Sequence, residues 1–475
     1  MAEEFGDQGG FASMNPSALY RFLASKVMTR MWSVTALEKR RQRAEKKRRR
    51  RGAPHRVVYF HQLDDGYSHL AAQLLRPLLE RYDVDLEVHL VTADPGDNLP
   101  EPDLLLQLSR YDAEKVAPHY GLVFPVATAP PSPQQVELAG RVVAAVGIEE
   151  MPEVMVAVGN ALWSGESKVL EGLAKTHGSV EASELAARVA AGNAARREEG
   201  HYSGAMFFYG GEWYWGSDRI NHLEQRLIGL GARRPGATEE ALCSRPEIEF
   251  GPLRDNGQLT FEIYPSLRSP YTSLIFDHAV RLARETGVKL VMRPVLPMVM
   301  RGVPATRQKG FYIFSDAARE AKALGLKWGT IYDPIGDPVR QVYSLYPWAR
   351  SCGKGTELLS SFLHAAFFDG VNTNNLQGMK TVVENAGLPW PEASKILGDR
   401  DWEAEFEANR LAMYEFGSWG VPSFRLLDEA GKEVLGLWGQ DRLWLFAREI
   451  QRLLRERRAG SEGERSGSGE EAPQS

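Results

Sequence analysis

Cysteine is nearly missing: 475 residues hold two, Cys243 and Cys352, in no C-x-x-C or metal-ligand spacing. That excludes a disulfide-built secreted scaffold, a sequence-local zinc site and a dithiol redox centre. No uninterrupted apolar run is long enough to cross a bilayer. The opening carries Glu3, Glu4 and Asp7 in place of a basic segment before an apolar one, so a secretory signal is not expected. These absences point to a soluble, cytoplasmic protein. What is present is ordinary for a globular chain, 43% hydrophobic and 25% charged residues. Its length exceeds what one core serves, so about two domains are expected.

Charge is distributed unevenly. The net charge is −5, yet residues 39–51 contain ten Lys or Arg against Glu45 alone, a local +9 that leaves the rest near −14. Before this run, Asn15-Pro16-Ser17 can open a helix, and Leu19, Leu23, Val27, Met31 and Val34 recur at helical spacing. The ordinary role of such a stripe is packing on the body. The sharper one is a partner-binding or interfacial helix whose basic extension suits a protein partner or an anionic surface. Specific nucleic-acid binding is not expected from a charge run alone.

Two stretches share one order of elements. Strand Val57–Phe60, a loop His61–Gly66, a helix near Tyr67 and strand Val84–Val91 return as strand Phe261–Tyr264, loop Pro265–Ser269, helix from Pro270 and strand Val288–Val295. Tyr67 and Tyr271 lie 204 residues apart, as do Asp112 and Asp316, read as helix starts, and Gly121-Leu122 and Gly325-Leu326. Equal spacing of this length marks an internal repeat. Each copy closes on a similar segment, Trp215-Gly216-Ser217-Asp218-Arg219 and Trp438-Gly439-Gln440-Asp441-Arg442, before a last helix. In the second copy a strand pair, Ser423–Leu427 and Glu433–Leu437, precedes it. The helical segment Asp316–Gly417 is too long for a simple crossover and should form its own bundle. The expected boundaries are 1–52 for the helix and basic arm, 53–232 and 259–458 for the copies, 233–258 for a linker and 459–475 for a disordered tail rich in Gly, Ser and Glu.

Three elements of the second copy can carry chemistry. Ser269-Pro270-Tyr271 places a hydroxyl at a helix start, where the dipole and the O–H would favour a bound thiolate. The bland role of Ser269 is a cap. Gly420-Val421-Pro422 opens a strand with a proline, whose cis form would turn the Val421 backbone outward to pair with an extended peptide. Its alternative is an ordinary trans proline. Gln440, Asp441 and Arg442 open the last helix, where Asp441 could pair an ammonium and the helix terminus receive a carboxylate. The plain reading is an acidic first turn, with Arg442 paired to a neighbouring acid. No metal ligands are expected.

Over residues 258–458 these motifs together resemble the kappa-class glutathione transferase and 2-hydroxychromene-2-carboxylate isomerase family. Arg293-Pro294 and Lys309-Gly310-Phe311-Tyr312 with Asp316 add to the resemblance. It implies an α/β fold, two tandem thioredoxin-like (DsbA-like) domains, each with an inserted helical subdomain. It also implies glutathione as cofactor and a small aromatic or other electrophilic substrate. Ser269 would then sit at the thiol sulfur beside Tyr271, and Val421 with cis Pro422 at the cysteinyl unit. Gln440, Asp441 and Arg442 would lie at the γ-glutamyl end, and Lys309 near the glycine carboxylate or the second substrate. In the isomerases the thiolate adds reversibly to a conjugated substrate and allows rotation about a former double bond. The sequence departs from the family at Ser266, where an aspartate is usual, and at Met298-Val299-Met300-Arg301, where an asparagine-containing loop is expected.

The first copy carries Asp65-Gly66-Tyr67 for the Ser-Pro-Tyr triplet and Gly204-Ala205-Met206 for the Gly-Val-Pro turn. A carboxylate there would repel a thiolate. This copy reads as non-catalytic, and as a built-in partner for the second in an intramolecular pseudo-dimer. The leading function is a glutathione-dependent isomerase or transferase. Its competitor is a non-catalytic binding or scaffold protein that keeps the fold for its surfaces.

Overall fold

The computed structural model describes residues 15–467 apart from positions 95, 128 and 304, with side chains through 459. The expected disorder of the first residues and of 468–475 lies outside these. The chain divides into two compact units. The first comprises 34–246 and 304–312; the second comprises 1–33, 247–303 and 313–475.

In the first unit, β1 (Arg56–Gln62), β2 (Asp85–Val91), β3 (Met206–Tyr209) and β4 (Glu212–Trp215) form one sheet in the order β2-β1-β3-β4. β1 and β2 run parallel; β3 is antiparallel to both its neighbours. One core gathers Val57, Tyr59, Leu75, Val142, Val158, Phe207, Tyr214 and Leu223, and a second cluster holds Val58, Phe60, Val91 and Met206, all buried. The buried stretch of β1 reflects its central place with neighbours on both edges.

The second unit has the same plan in β5 (Thr260–Tyr264), β6 (Lys289–Met292), β7 (Ser423–Leu427) and β8 (Glu433–Trp438), in the order β6-β5-β7-β8. Again the first pair is parallel and the others antiparallel. Glu262, buried on β5, accepts from the guanidinium groups of Arg293 and Arg425, each at 2.6 Å, and from Tyr264 at 2.9 Å. The Pro270–Thr286 helix crosses between β5 and β6. Ser269 caps it, Pro270 takes its first position, and Gly287 ends it at φ +74°, a left-handed turn that glycine adopts without a Cβ penalty. Between β6 and β7 run helices from Arg307–Ala323 to Glu403–Glu415. Tyr343, Trp402 and Phe406 pack ring to ring among them.

Four expectations change. Asp112 and Asp316 are not helix starts. They lie within the Pro102–Val116 and Arg307–Ala323 helices and accept hydrogen bonds from the Tyr67 and Tyr271 hydroxyls, at 2.7 and 2.9 Å. The repeated Tyr and Asp thus mark a tertiary contact present in each unit. Residues 233–258 are irregular but pinned: Leu242 and Cys243 are buried in the first core, and the Leu242 amide donates to Glu224 at 2.9 Å. The last helix, Leu443–Gly467, continues past Arg458, because extending a formed helix fixes only one residue per added bond. The helix of the N-terminal arm is two, α1 (Ala18–Trp32) in the second unit and α2 (Val34–Arg50) in the first.

Candidate functional site

The second unit brings two distant motifs into contact. Ser269 Oγ accepts from the Thr272 amide at 3.1 Å, the cap expected of it, and donates to the Val421 carbonyl at 3.2 Å across 152 residues. The β5–β7 register explains the meeting. Tyr264 pairs with Ser423, so the loop ending β5 and the loop entering β7 open at the same end of the sheet. The Val421–Pro422 peptide bond is cis. Gly420 packs so closely on the Trp438 indole that a Cβ would overlap the ring.

The closing segment joins the same place. Gly439 donates its amide to the Pro422 carbonyl at 3.0 Å. At φ +121° it takes a backbone conformation that favours glycine, and a Cβ there would lie 2.5 Å from Asp441 Oδ1. Asp441 lies 3.5 Å from Arg442 Nη1, and its carbonyl accepts from the Trp444 indole at 2.8 Å. Gln440 is buried and donates through Nε2 to Glu320 at 2.6 Å, while its Oε1 has no partner. Tyr271 reaches Asp316, which Arg319 also meets at 2.6 Å. Beside the cap, Arg268 holds Asp333 through two bonds, at 2.9 and 3.0 Å. Burial works against the Asp333 charge, yet Arg268 and the Ile335 amide hold its carboxyl below the usual range.

Lys309 lies in the first turn of the helix that carries Asp316 and Glu320. It belongs to the first unit, where its Nζ donates to the Asn98 carbonyl at 3.1 Å and burial pushes its pKa down to about 8. Sequence reasoning passed over Glu320 and the Arg268–Asp333 pair. Glu320 follows Asp316 by four residues on one helix, a spacing that puts both on one face and could have drawn notice.

The corresponding place in the first unit differs in chemistry. Asp65 accepts from the amides of Tyr67 and Ser68, at 3.3 and 3.1 Å, and from Ser68 Oγ at 2.8 Å. Burial raises its pKa to about 6. Met206 pairs with Trp215 as Ser423 pairs with Trp438, so Ala205, at φ +54°, stands where Pro422 stands and Gly204 where Val421 does. This shifts by one residue the turn equivalence that the sequence suggested. A small open cleft is lined here by Gln62, Asp65, Tyr67, Leu105, Gly204 and Trp215.

The family comparison bears on the second unit. Residues 260–451 match the DSBA-like thioredoxin domain. The match spans the sheet of the second unit, the helices inserted between β6 and β7 and the first nine residues of the last helix. Among solved structures, a probable DsbA oxidoreductase from Streptomyces coelicolor is 20% identical, with TM-score 0.33, covering 46% of this chain and 93% of its own. A 2-hydroxychromene-2-carboxylate isomerase is 18% identical, with TM-score 0.34, covering 42% and 98%. A cytosolic disulfide reductase, DsbM from Pseudomonas aeruginosa, is 17% identical, with TM-score 0.31, covering 41% and 99%. No curated protein matches the sequence. Among the described residues, no group of three or more His, Cys, Asp or Glu could hold a metal, and no helix is long and apolar enough to cross a membrane.

Proposed function

We propose that the second unit is a glutathione-dependent isomerase or transferase of the kappa-class and 2-hydroxychromene-2-carboxylate isomerase type, acting on a small aromatic or other electrophilic substrate. The observation that carries this reading is the Ser269 hydroxyl at a helix start, in contact with the Val421 backbone of the loop that enters β7. When bound, glutathione supplies a nucleophilic thiol, which this unit's own residues do not. The chain's two cysteines do not stand at this place: Cys352 is exposed in the helical insertion and Cys243 is buried in the first unit.

The residues present fit the thiol end of the tripeptide. The Ser269 O–H is a donor that can turn from the Val421 carbonyl to a sulfur, and a donor there favours thiolate over thiol. The dipole of the 17-residue Pro270–Thr286 helix acts in the same sense. The γ-glutamyl end has the Asp441 carboxylate and, one residue away, the orphaned acceptor Oε1 of Gln440, both suited to an ammonium. On this proposal Lys309, on the helix that also carries Asp316, would lie near the glycine carboxylate or the second substrate. On this reading the first unit is a diverged copy of the same domain, with the Asp65 carboxyl where the serine hydroxyl would be. It would serve without catalysis of this kind.

One observation favours the competing reading, a scaffold that keeps the fold for its surfaces: Gln440 Nε2 is already committed to Glu320. Calorimetric titration of the full chain with reduced glutathione separates the two. The enzyme reading expects saturable binding, weakened about tenfold or more in Asp441→Ala through loss of a charge-assisted contact. Absence of saturable binding at millimolar concentrations would remove the enzyme reading.

A further inference from the structure

Helix α1 is built inside out. Its polar stripe is the buried one: Arg21 donates to the carbonyls of Asp333 and Ile335, at 2.8 and 2.6 Å. Ser25 Oγ receives the Asp333 amide at 3.0 Å, and Thr29 Oγ1 receives the Ile331 amide at 2.9 Å. Met28 and Trp32 complete the covered face. The apolar stripe faces outward, with Leu19 69%, Leu23 54% and Val27 55% exposed, and Tyr20 and Phe22 exposed beside them. The sequence pattern shows that a stripe exists and leaves open whether the body or a partner covers it. Lone exposed apolar residues need no explanation, but five on one helix of 15 residues, opposite a polar buried face, mark an interaction surface.

The charges on that face select its partner. On a helical wheel Lys26 and Arg30 fall between Phe22, Leu19 and Leu23, and the helix contains no Asp or Glu. Lys26 extends over the Phe22 ring, 5.5 Å from its centroid. A symmetric contact with a second copy would bring these cations against their own counterparts. Nucleic acid would answer the charge and leave the apolar stripe in water. An anionic bilayer answers both, since apolar side chains enter the acyl boundary while Lys and Arg stems extend to the headgroups. One residue after α1 the chain enters α2, where Lys39, Arg43, Lys46, Lys47 and Arg50 are exposed. Within α1 itself the apolar stripe and the cations Lys26 and Arg30 supply both an apolar and an electrostatic signal.

We infer that α1 docks the protein on an anionic lipid surface through Leu19, Tyr20, Phe22, Leu23 and Val27, with Lys26 and Arg30 at the headgroups. The test is sedimentation of the full chain with phosphatidylcholine vesicles with and without phosphatidylglycerol, alongside Leu23→Ser/Val27→Ser and Lys26→Gln/Arg30→Gln. Binding should require phosphatidylglycerol, weaken with salt, and fall about tenfold or more in the serine variant through lost apolar burial. The glutamine variant should lose affinity by a smaller factor. All four positions are exposed, so circular dichroism and melting should match wild type. No binding of wild type to anionic vesicles would overturn the inference. So would equal binding by the serine variant, which would assign lipid contact to the basic run alone. A dimer that the serine substitutions dissociate, without vesicle binding, would assign the face to a second copy and overturn it too.

Discussion

Replacing Ser269 by alanine separates its two roles. The substitution removes the acceptor that caps Thr272 and the donor to the Val421 carbonyl. Loss of a serine cap costs about 1 kcal/mol, and loss of a net hydrogen bond at a largely buried site costs about as much. Local opening of the first turn should therefore become easier by about 1–2 kcal/mol, a factor of roughly 5 to 30 in exchange of the Thr272 amide. Hydrogen exchange with mass spectrometry on peptides across 269–276 reads this directly. The second role appears only with ligand. A hydroxyl donating to a thiolate contributes about 1.5–3 kcal/mol, so the thiol pKa of bound glutathione should rise by about 1–2 units in Ser269→Ala. Thiolate absorbance against pH measures it. Ser269→Thr keeps the hydroxyl and should restore both readouts. Faster exchange with an unchanged thiolate titration would show that Ser269 is a cap and nothing more, and would refute the catalytic assignment.

Three further outcomes follow from the same structure. Burial opposes the charge on Glu262, but its bonds to Arg425 and Arg293 prevail and hold its pKa below the ordinary value. Glu262→Gln leaves two guanidinium groups without their carboxylate and should lower the stability of the second unit by about 3 kcal/mol, read from urea unfolding. In the first unit, burial depresses His61 to about 3, with His69 adding to it, and His69 to about 4. Depressed histidines contribute stability above their unfolded pKa that is lost as pH falls towards those values. Asp65, raised to about 6 by burial, acts oppositely, losing its contribution as pH rises from about 4 through 6. The histidine shifts are together larger, so melting of the first unit should fall from pH 6.5 to pH 4, and His69→Leu should flatten that decline; an equal decline in the variant would contradict it. Gly420→Ala would drive a Cβ into the Trp438 indole, and overpacking of this kind costs about 1–3 kcal/mol. A thermal transition of the second unit unchanged in that variant would show that the loop yields freely.

Much of the frame could be read from local pattern. Ser423–Leu427 was placed to the residue because a short apolar run lies between Pro422 and the Asp428 turn. Ser269 and Pro270 announced a helix start because capping acts within one turn. The repeated Tyr and Asp were visible at constant spacing, but their contact was not, since a hydroxyl donating to a carboxylate 45 residues away leaves no local trace. The same holds for Ser269 and Val421, which only strand register brings together. Lys309 carries a site expectation from its place in a motif, while its contact with the Asn98 carbonyl was not legible there, since 211 residues separate the two. Whether the body covers the α1 stripe was left open for a related reason. The buried side of this helix is held by hydrogen bonds to the backbone of 331–335, and hydrophobic periodicity does not register such contacts.

The central claim is that glutathione binds with its sulfur at Ser269 and its cysteinyl backbone at Val421. A crystal structure of the full chain grown with reduced glutathione tests it most directly. The sulfur is expected within hydrogen-bond reach of Ser269 Oγ and the γ-glutamyl ammonium at Asp441. Tripeptide density in the cleft between Asp65 and Trp215, or none at Ser269 under saturating ligand, would contradict it.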